Sequence, residues 1–195
     1  MEHLPLEVNN KFVYATFSQR LLAGFIDMLV FLSLMFVYRL MSSNSISGDL
    51  MLEFVVLSVP VIYTVLLNYY YGGTLGKLAQ GIRITQIDGS KISFVQSLLR
   101  SSVDIIITLV LFAITVVTLT SLGLDQLSEY FYQDWFDRSI YLMDYYPDWE
   151  PWVENIMLAW YWSELLVMLT NERRRALHDF IADSVVIKVE FCKNK

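Results

Sequence analysis

The stretch SVDIIITLVLFAITVVTLTSLG occupies residues 102–123 and carries a single charge, Asp104, close to its start. A helix needs roughly 20 predominantly apolar residues to cross the hydrocarbon core of a bilayer. Three further apolar runs of similar length lie at residues 21–38, 52–71 and 152–170. These four runs predict an all-α membrane protein with four transmembrane helices.

The composition agrees with a membrane environment. Of the 195 residues, 55% are hydrophobic and 17% are charged, whereas soluble domains have roughly 25% charged residues. No linker-like stretch divides the chain, so residues 1–195 are predicted to form a single domain. The acidic segment before the first run lacks the features of a cleaved signal peptide, and we expect that run to remain as an anchor.

The basic residues are distributed unevenly between the segments that connect the spans. Four spans place both termini on the same side of the membrane. Twelve of the 14 Lys and Arg residues lie in the N-terminal segment, the loop of residues 72–100 or the tail of residues 171–195. Because segments rich in Lys and Arg stay in the cytosol, we predict that these three segments are cytosolic. The loop of residues 124–151 is then external.

The predicted external loop mixes carboxylates with many aromatic side chains. Such a mixture is typical of a segment that lies at the membrane interface, with its rings among the headgroups and its charges in water. Two interpretations stay open. The loop is either a solvated amphipathic connection or a carboxylate-rich funnel that raises the local concentration of cations.

Two short segments outside the spans have the alternating pattern of β-strands. Residues 81–94, GIRITQIDGSKISF, place apolar side chains on both sides of an Asp-Gly pair and predict a cytosolic β-hairpin. Residues 184–191, SVVIKVEF, show a similar alternation in the tail. Because a lone hairpin is marginally stable, we predict that residues 185–189 pair with residues 82–87 as part of a small cytosolic β element.

Three stretches together resemble the RDD family of bacterial membrane proteins, named for one arginine and two aspartates. The first is FSQRLLAGFIDMLV, with Arg20 and Asp27. The second, at residues 72–100, contains GGTLGK and then GIR followed by an Asp-Gly turn, and the third is RRRALHDFIADSVVI, with Asp179. The long aromatic loop and Ser184 depart from the family pattern.

The resemblance implies a multi-pass protein of the bacterial cytoplasmic (inner) membrane, in which Arg20, Asp27 and Asp179 are the family's motif residues. Some members of the family have been linked to sodium/proton exchange. The resemblance therefore favours a transport function, with a monovalent cation or a proton as the transported species.

Two carboxylates lie deep in the predicted spans, where an ionisable group costs on the order of 2.5 to 3.5 kcal/mol and needs a partner or a purpose. Four polar side chains share a predicted depth of about 9 to 10 Å from the cytosolic boundary: Asp27, Thr64, Thr108 and Glu164. We predict that this layer forms a cation or proton site. A purely structural alternative also stays open, in which Asp27 accepts a hydrogen bond from Tyr63 or Asn68.

The remaining charged residues are predicted to have local roles. Arg20 should extend to the cytosolic headgroups and leave Asp27 unpaired by it. Arg100 should pair with Asp104, one helical turn further along. The basic run at residues 173–175 should anchor the fourth helix to anionic headgroups.

Taken together, the sequence favours cation or proton-coupled transport, similar to a sodium/proton antiporter. The alternative is a non-transporting membrane adaptor or assembly protein that binds a partner through its loops. An enzyme is not expected, because the pair His178-Asp179 lacks the further histidines of a metal site, and we expect no metal, no cofactor and no nucleic-acid partner. Four helices are few for alternating access, so a transporter would have to form a homodimer.

The proposed orientation leads to a direct test with two reporters. A reporter fused after Lys195 should be cytosolic, whereas one inserted beside Ser45 should be external, because twelve basic residues stay on the side of the termini. The measurement is the activity of a reporter that works on only one side of the membrane. Both reporters on the same side would contradict the four-span prediction.

Overall fold

The computed structural model describes residues 4–38 and 44–192, and it is mostly helical. In chain order the helices are α1 (Phe17–Tyr38), α2 (Ile46–Tyr71), α3 (Leu75–Ala79), α4 (Phe94–Arg100), α5 (Ser102–Ser121), α6 (Leu124–Tyr132), α7 (Trp135–Met143), α8 (Glu150–Thr170) and α9 (Leu177–Ile181). The strands are β1 (Glu7–Val8), β2 (Lys11–Phe12), β3 (Ile82–Gln86) and β4 (Ser184–Lys188).

Four long helices, α1, α2, α5 and α8, coincide with the four predicted apolar runs. Two of them, α2 with 26 residues and α5 with 20, are long and apolar enough to cross a membrane. The helices α1 and α8 have 22 and 21 residues, and α8 carries three glutamates that lower its mean hydropathy. The mainly helical architecture with small strands is confirmed, whereas the four-span count stays a prediction.

The long helices expose large apolar side chains along their length. In α8, where no side chain is buried, Trp152 is 72% exposed and Ile156 is 69% exposed. In α1, Leu21 and Phe25 are likewise more than half exposed. Soluble monomers rarely expose apolar patches larger than a few hundred Å². The surface of these helices therefore indicates a membrane environment.

The predicted pairing of the tail strand is confirmed. β3 and β4 are antiparallel, with Ile82 opposite Lys188 and Gln86 opposite Ser184. The N-terminal segment adds to this pair, because the N–H of Ala15 donates to the carbonyl of Val186 at 2.9 Å. The side chains around these strands form a small apolar core, which joins residues 4–15, β3 and its following turn, and β4.

The predicted hairpin of residues 81–94 is only partly present. The turn at Asp88 and Gly89 exists, but beyond it a single bridge joins Thr85 to Lys91. The expected second strand is replaced by the start of α4. The Ser93 hydroxyl accepts from the N–H of Gln96, whose side chain accepts in return from the N–H of Ser93, and this capping box starts a helix.

The segment predicted as an external loop contains two short helices, α6 and α7, which we call the helical cap. The helical cap packs against α5 through an apolar cluster that includes buried Leu119 of α5 and Leu142 of α7. Its buried Arg138 lies 3.3 Å from the carboxylate of Asp49 at the start of α2, and the Tyr130 hydroxyl donates to the same carboxylate at 2.9 Å. The segment is therefore helical in part, because long-range burial of an arginine and several rings stabilises helices that are too short to persist alone.

The helix α3 packs closely against α1. A Cβ atom at Gly76 would overlap the carbonyl oxygen of Ala23 and lie 2.8 Å from its carbonyl carbon. At Gly24, one residue further along α1, a Cβ atom would meet nothing within 4 Å. The absence of a side chain at Gly76 is thus what allows the backbones of α1 and α3 to approach.

This contrast supplies a matched pair of substitutions. Gly76→Ala should lower the free energy of unfolding by at least about 1–3 kcal/mol, because the added methyl group meets rigid backbone atoms. Gly24→Ala should leave the stability unchanged or raise it by roughly 0.5–1 kcal/mol, because alanine favours a helix interior. Thermal unfolding in detergent measures both. Equal stability of the two variants would contradict the close approach of α3 to α1.

Candidate functional site

The buried carboxylate of Asp179 in α9 collects donors from four parts of the chain. Arg20, in the first turn of α1, donates to its Oδ2 atom at 2.9 Å. Arg100, the last residue of α4, donates to its Oδ1 atom. The N–H of Ala176 donates to Oδ2 at 2.9 Å, and the Ser184 hydroxyl lies 3.5 Å from Oδ1. Asp179 therefore joins α1, α4, α9 and β4.

The charges around Asp179 keep this carboxylate ionised. Burial alone would raise the pKa of Asp179, but the guanidinium groups of Arg100 and Arg20 outweigh burial and hold the pKa well below its usual range. Burial also lowers the pKa of Arg100, and the neighbouring Asp179 opposes that shift. The group thus contains two cations and one anion in a region closed to water.

A histidine extends this group to α8. The backbone N–H of His178 donates to the Oε1 atom of Glu164 at 2.8 Å, and the ring Nδ1 atom of His178 lies 2.5 Å from Oε2 of the same carboxylate. Its Nε2 atom lies 2.7 Å from Nη2 of Arg100. Because arginine can only donate, Nε2 accepts, and Nδ1 carries the proton that faces Glu164.

The tautomer of His178 agrees with its surroundings. Burial and then the positive charge of Arg100 lower the pKa of His178, while Asp179 and Glu164 act in the opposite direction. The imidazole therefore stays neutral. We call the series Glu164, His178, Arg100, Asp179 and Arg20 the ion-pair chain. It runs from α8 to α1, and in it the neutral His178 contacts Glu164 and Arg100 through its two ring nitrogens, whereas Asp179 pairs with both arginines.

Asp27, one of two carboxylates predicted to lie deep in the spans, has different partners. The Tyr63 hydroxyl of α2 donates to Oδ1 at 2.9 Å, and the N–H of Gly76 donates to the same atom at 2.9 Å. The Thr74 hydroxyl donates to Oδ2 at 2.6 Å. Thr74 in turn accepts from Nζ of Lys77 at 3.5 Å. Asp27 is 9% exposed, and its direct partners are all neutral groups.

The ammonium group of Lys77 interacts electrostatically with both Asp27 and Asp179. Burial lowers its pKa to about 8. The cations Arg100 and Arg20 act in the same direction, whereas Asp27 and Asp179 oppose it. The lysine therefore loses its proton closer to neutrality than an exposed lysine does.

The structure separates the residues of the predicted polar layer. Glu164 belongs to the ion-pair chain, and Asp27 is bound by Tyr63 and the residues that open α3. Thr64 and Thr108 are half-buried in α2 and α5. Over residues 4–38 and 44–192, neither threonine hydrogen-bonds to either carboxylate, and no side chain contacts both carboxylates by a hydrogen bond. The role of the four residues as an ion site stays a prediction.

One of the two hydrogen bonds suggested for Asp27 in the structural alternative is present, and the choice between a structural role and an ion site stays open. Tyr63 donates to Asp27 as proposed. Asn68 is fully buried, but in the described residues its amide makes no side-chain hydrogen bond. The prediction that Arg20 leaves Asp27 unpaired is also confirmed, because Arg20 bonds to Asp179.

Two predictions for the arginines were wrong, and a third, for the basic run at residues 173–175, fails at Arg175. Arg20 does not extend to headgroups, and Arg100 does not pair with Asp104, because both donate to Asp179. Arg175 is buried rather than free to anchor a helix, and its guanidinium donates to two backbone carbonyl groups. In each case a buried acceptor is a stronger partner than water or, for Arg100, than the exposed Asp104.

The most informative residues that the sequence analysis missed are Thr74, Gly76 and Lys77. They belong to the stretch GGTLGK, which carried the family resemblance without any assigned contact. A signal for this contact was available in the sequence. A hydroxyl and an N–H at the start of a helix are suitable donors for an anion, and Asp27 was a carboxylate in an apolar span that needed donors.

These observations define a mostly helical, membrane-associated protein with a buried charged site where its long helices meet the β element. Residues 14–183 match the RDD family, and the chain belongs to that family. The matched segment includes buried Asp27 and Asp179 and the largely buried Arg20, and each of them takes part in a hydrogen-bonded cluster. No curated protein and no solved structure matches the chain.

The ion-pair chain leads to a test of stability. Asp179→Asn should lower the free energy of unfolding by about 3–5 kcal/mol, because it leaves two buried guanidinium groups without their counter-ion. Thermal and denaturant unfolding of the purified protein measure this change.

Asp183→Asn is the matched control, because Asp183 pairs with Arg175 through a side chain that is 65% exposed. It should cost less than about 1 kcal/mol, and asparagine tolerates the positive φ of 46° at this position. Similar losses for both variants would contradict a special role of Asp179.

Proposed function

We propose that this RDD protein couples the movement of a monovalent cation to that of a proton across a bacterial cytoplasmic membrane, in the manner of a sodium/proton antiporter. The observation that supports this proposal is the environment of Asp27. Its carboxylate is buried in a long helix, yet over the described residues its hydrogen bonds come only from neutral donors. Its charge is therefore available to a cation or a proton.

The contrast with Asp179 explains why Asp27 is the better candidate. Asp179 is held by two guanidinium groups that cannot lose their protons, so it has little affinity left for a mobile ion. The cation nearest to Asp27 in the hydrogen-bond network is Lys77, reached through Thr74. Lys77 has a pKa of about 8.

A coupling mechanism follows from these two groups. When Lys77 loses its proton, the positive charge near Asp27 falls by one and the carboxylate attracts a cation more strongly. When Lys77 is protonated again, it repels that cation. Binding of a cation and binding of a proton then exclude each other, which is the physical requirement for exchange.

We further propose that all four long helices span the membrane, with both termini, the β element and α9 in the cytosol. The length of α1 and α8 and their exposed apolar side chains support this arrangement. The excess of Lys and Arg in the same segments supports the orientation. A homodimer would supply the additional helices that alternating access requires. We expect no catalytic activity and no cofactor.

Exchange in reconstituted vesicles tests the transport proposal. Asp27→Asn should abolish proton movement driven by a cation gradient, because the side chain keeps its size and loses its charge. The measurement is the fluorescence of a pH-sensitive dye inside the vesicles. Lys77→Gln should remove the exchange as well, since no proton can then compete with the cation.

Glu154→Gln is the matched control, because Glu154 lies in α8 outside the ion-pair chain and should leave exchange unchanged. Folding of each variant is checked by its thermal unfolding. Full exchange by a folded Asp27→Asn protein would return Asp27 to a structural role and sink the transport proposal.

A membrane adaptor is the second candidate, and the helical cap is the observation that favours it. The cap exposes large apolar side chains, among them Leu124 at 86% and Tyr132 at 91%, and such a surface suits a protein partner. The absence of flux from the folded wild-type protein, together with specific cross-links from Tyr132 to a partner protein, would favour this candidate over transport.

A further inference from the structure

We propose that a groove between the start of α1 and the end of α8 binds one phospholipid whose headgroup carries a phosphate and a primary ammonium, as in phosphatidylethanolamine. The groove has a volume of about 730 Å³. The inference rests on the proposed membrane topology, and it is independent of whether the protein transports ions.

The position of the groove suits a lipid. Phe17, which begins α1, and Leu169, near the end of α8, both line it. In the proposed topology these helix ends lie at the cytosolic surface of the bilayer. Leu21 and Leu166, one turn deeper in each helix, are 60% and 58% exposed. The groove is thus continuous with the apolar surface that acyl chains would cover.

The wall of the groove combines apolar and polar groups. Phe12, Phe17 and Met168 supply apolar surface, and Ser18 and Asn171 supply polar atoms at the rim. This division matches a phospholipid near its glycerol backbone, where apolar chains meet a polar headgroup. Basic pockets between helices on the cytosolic side bind lipid headgroups, and Arg174 supplies a basic group here.

Two opposite charges at the rim specify the headgroup. Arg174 lies with its guanidinium 4.6 Å from the centre of the Phe12 ring, in a left-handed backbone conformation with φ of 52°. Unlike Arg175, it has no carboxylate partner within the part of the chain that the structure describes. Glu172 is exposed and likewise makes no ion pair with any described residue. Both side chains line the groove.

A zwitterionic headgroup complements both charges at once. The phosphate would accept from the guanidinium of Arg174, and the ammonium would donate to the carboxylate of Glu172. Phosphatidylglycerol would satisfy Arg174 but would place a neutral glycerol against Glu172. Phosphatidylcholine carries a quaternary ammonium, which has no N–H to donate. The geometry therefore favours the lipid with a primary ammonium over the other two.

The test uses the full-length protein in nanodiscs that contain equal amounts of the three lipids. After gentle detergent extraction, native mass spectrometry counts the lipids that stay bound. Phosphatidylethanolamine should be enriched by up to about fivefold over phosphatidylglycerol, as expected for an ion pair at a partly exposed site. Equal retention of all three lipids by the folded wild-type protein would overturn the proposal.

Two variants separate the contributions of the charges. Glu172→Gln should abolish the preference for phosphatidylethanolamine over phosphatidylglycerol without abolishing binding. Arg174→Gln should reduce the retention of every phospholipid. Glu190→Gln, which changes a partly exposed carboxylate paired with Lys11, is the matched control and should keep the wild-type preference. A preference that persists in Glu172→Gln would overturn the assignment of the ammonium site.

A second copy of the chain is the competing occupant of the groove. Ser18→Cys in a Cys192→Ser background reports on it, because a dimer linked through position 18 would show that protein covers the groove and would overturn the lipid proposal. Since lipid retention is measured without any ion gradient, its outcome is independent of the flux experiment. Exchange could fail while the lipid preference persists, and the reverse also holds.

Discussion

The buried carboxylate of Asp179 is the constraint on which most of the fold depends. An ionised carboxylate can be buried only where cations and hydrogen-bond donors replace its water, and here Arg20 and Arg100 supply that replacement. Arg20 lies in the first turn of α1, Arg100 ends α4, and Asp179 lies in the short helix α9. Their contact therefore fixes how α1, α4 and α9 meet, and β4 continues directly from α9 into its pairing with β3.

The same region holds a second buried carboxylate under different conditions. The carboxylate of Asp27 accepts hydrogen bonds from the Tyr63 hydroxyl of α2, the Thr74 hydroxyl and the N–H of Gly76. None of these donors carries a charge that would neutralise it. The close approach of α3 to α1 at Gly76 is what brings these donors within reach. The region thus contains one carboxylate that is paired with two guanidinium groups and one carboxylate whose hydrogen-bond donors are all neutral.

The helix α8 is joined to this cluster mainly through its C-terminal half. Glu164 contacts both the backbone N–H and the ring of His178. The other ring nitrogen of His178 accepts a hydrogen bond from Arg100. At the opposite ends of α2 and α5, the helical cap depends on the contact between Arg138 and Asp49. Buried charged contacts thus hold α1 at Arg20, α8 at Glu164 and α2 at Asp49, while the long helices expose apolar side chains along the middle.

The sequence by itself determined the elements whose signals are local. Long apolar runs predicted the four long helices, alternating apolar residues predicted the pairing of β3 with β4, and the spacing of polar residues selected Asp27 and its donor Tyr63. The capping box at Ser93 was also a local signal, although the Asp-Gly turn before it favoured a hairpin.

The partners of the buried charges were decided only by the tertiary structure. Arg20 and Asp179 are separated by 159 positions, and near neighbours such as Asp104 were the only partners that spacing could suggest for Arg100. Helix and strand periodicities report how one segment meets its solvent, whereas the choice between competing ion pairs depends on which carboxylate packing removes from water, and that is a property of the assembled fold.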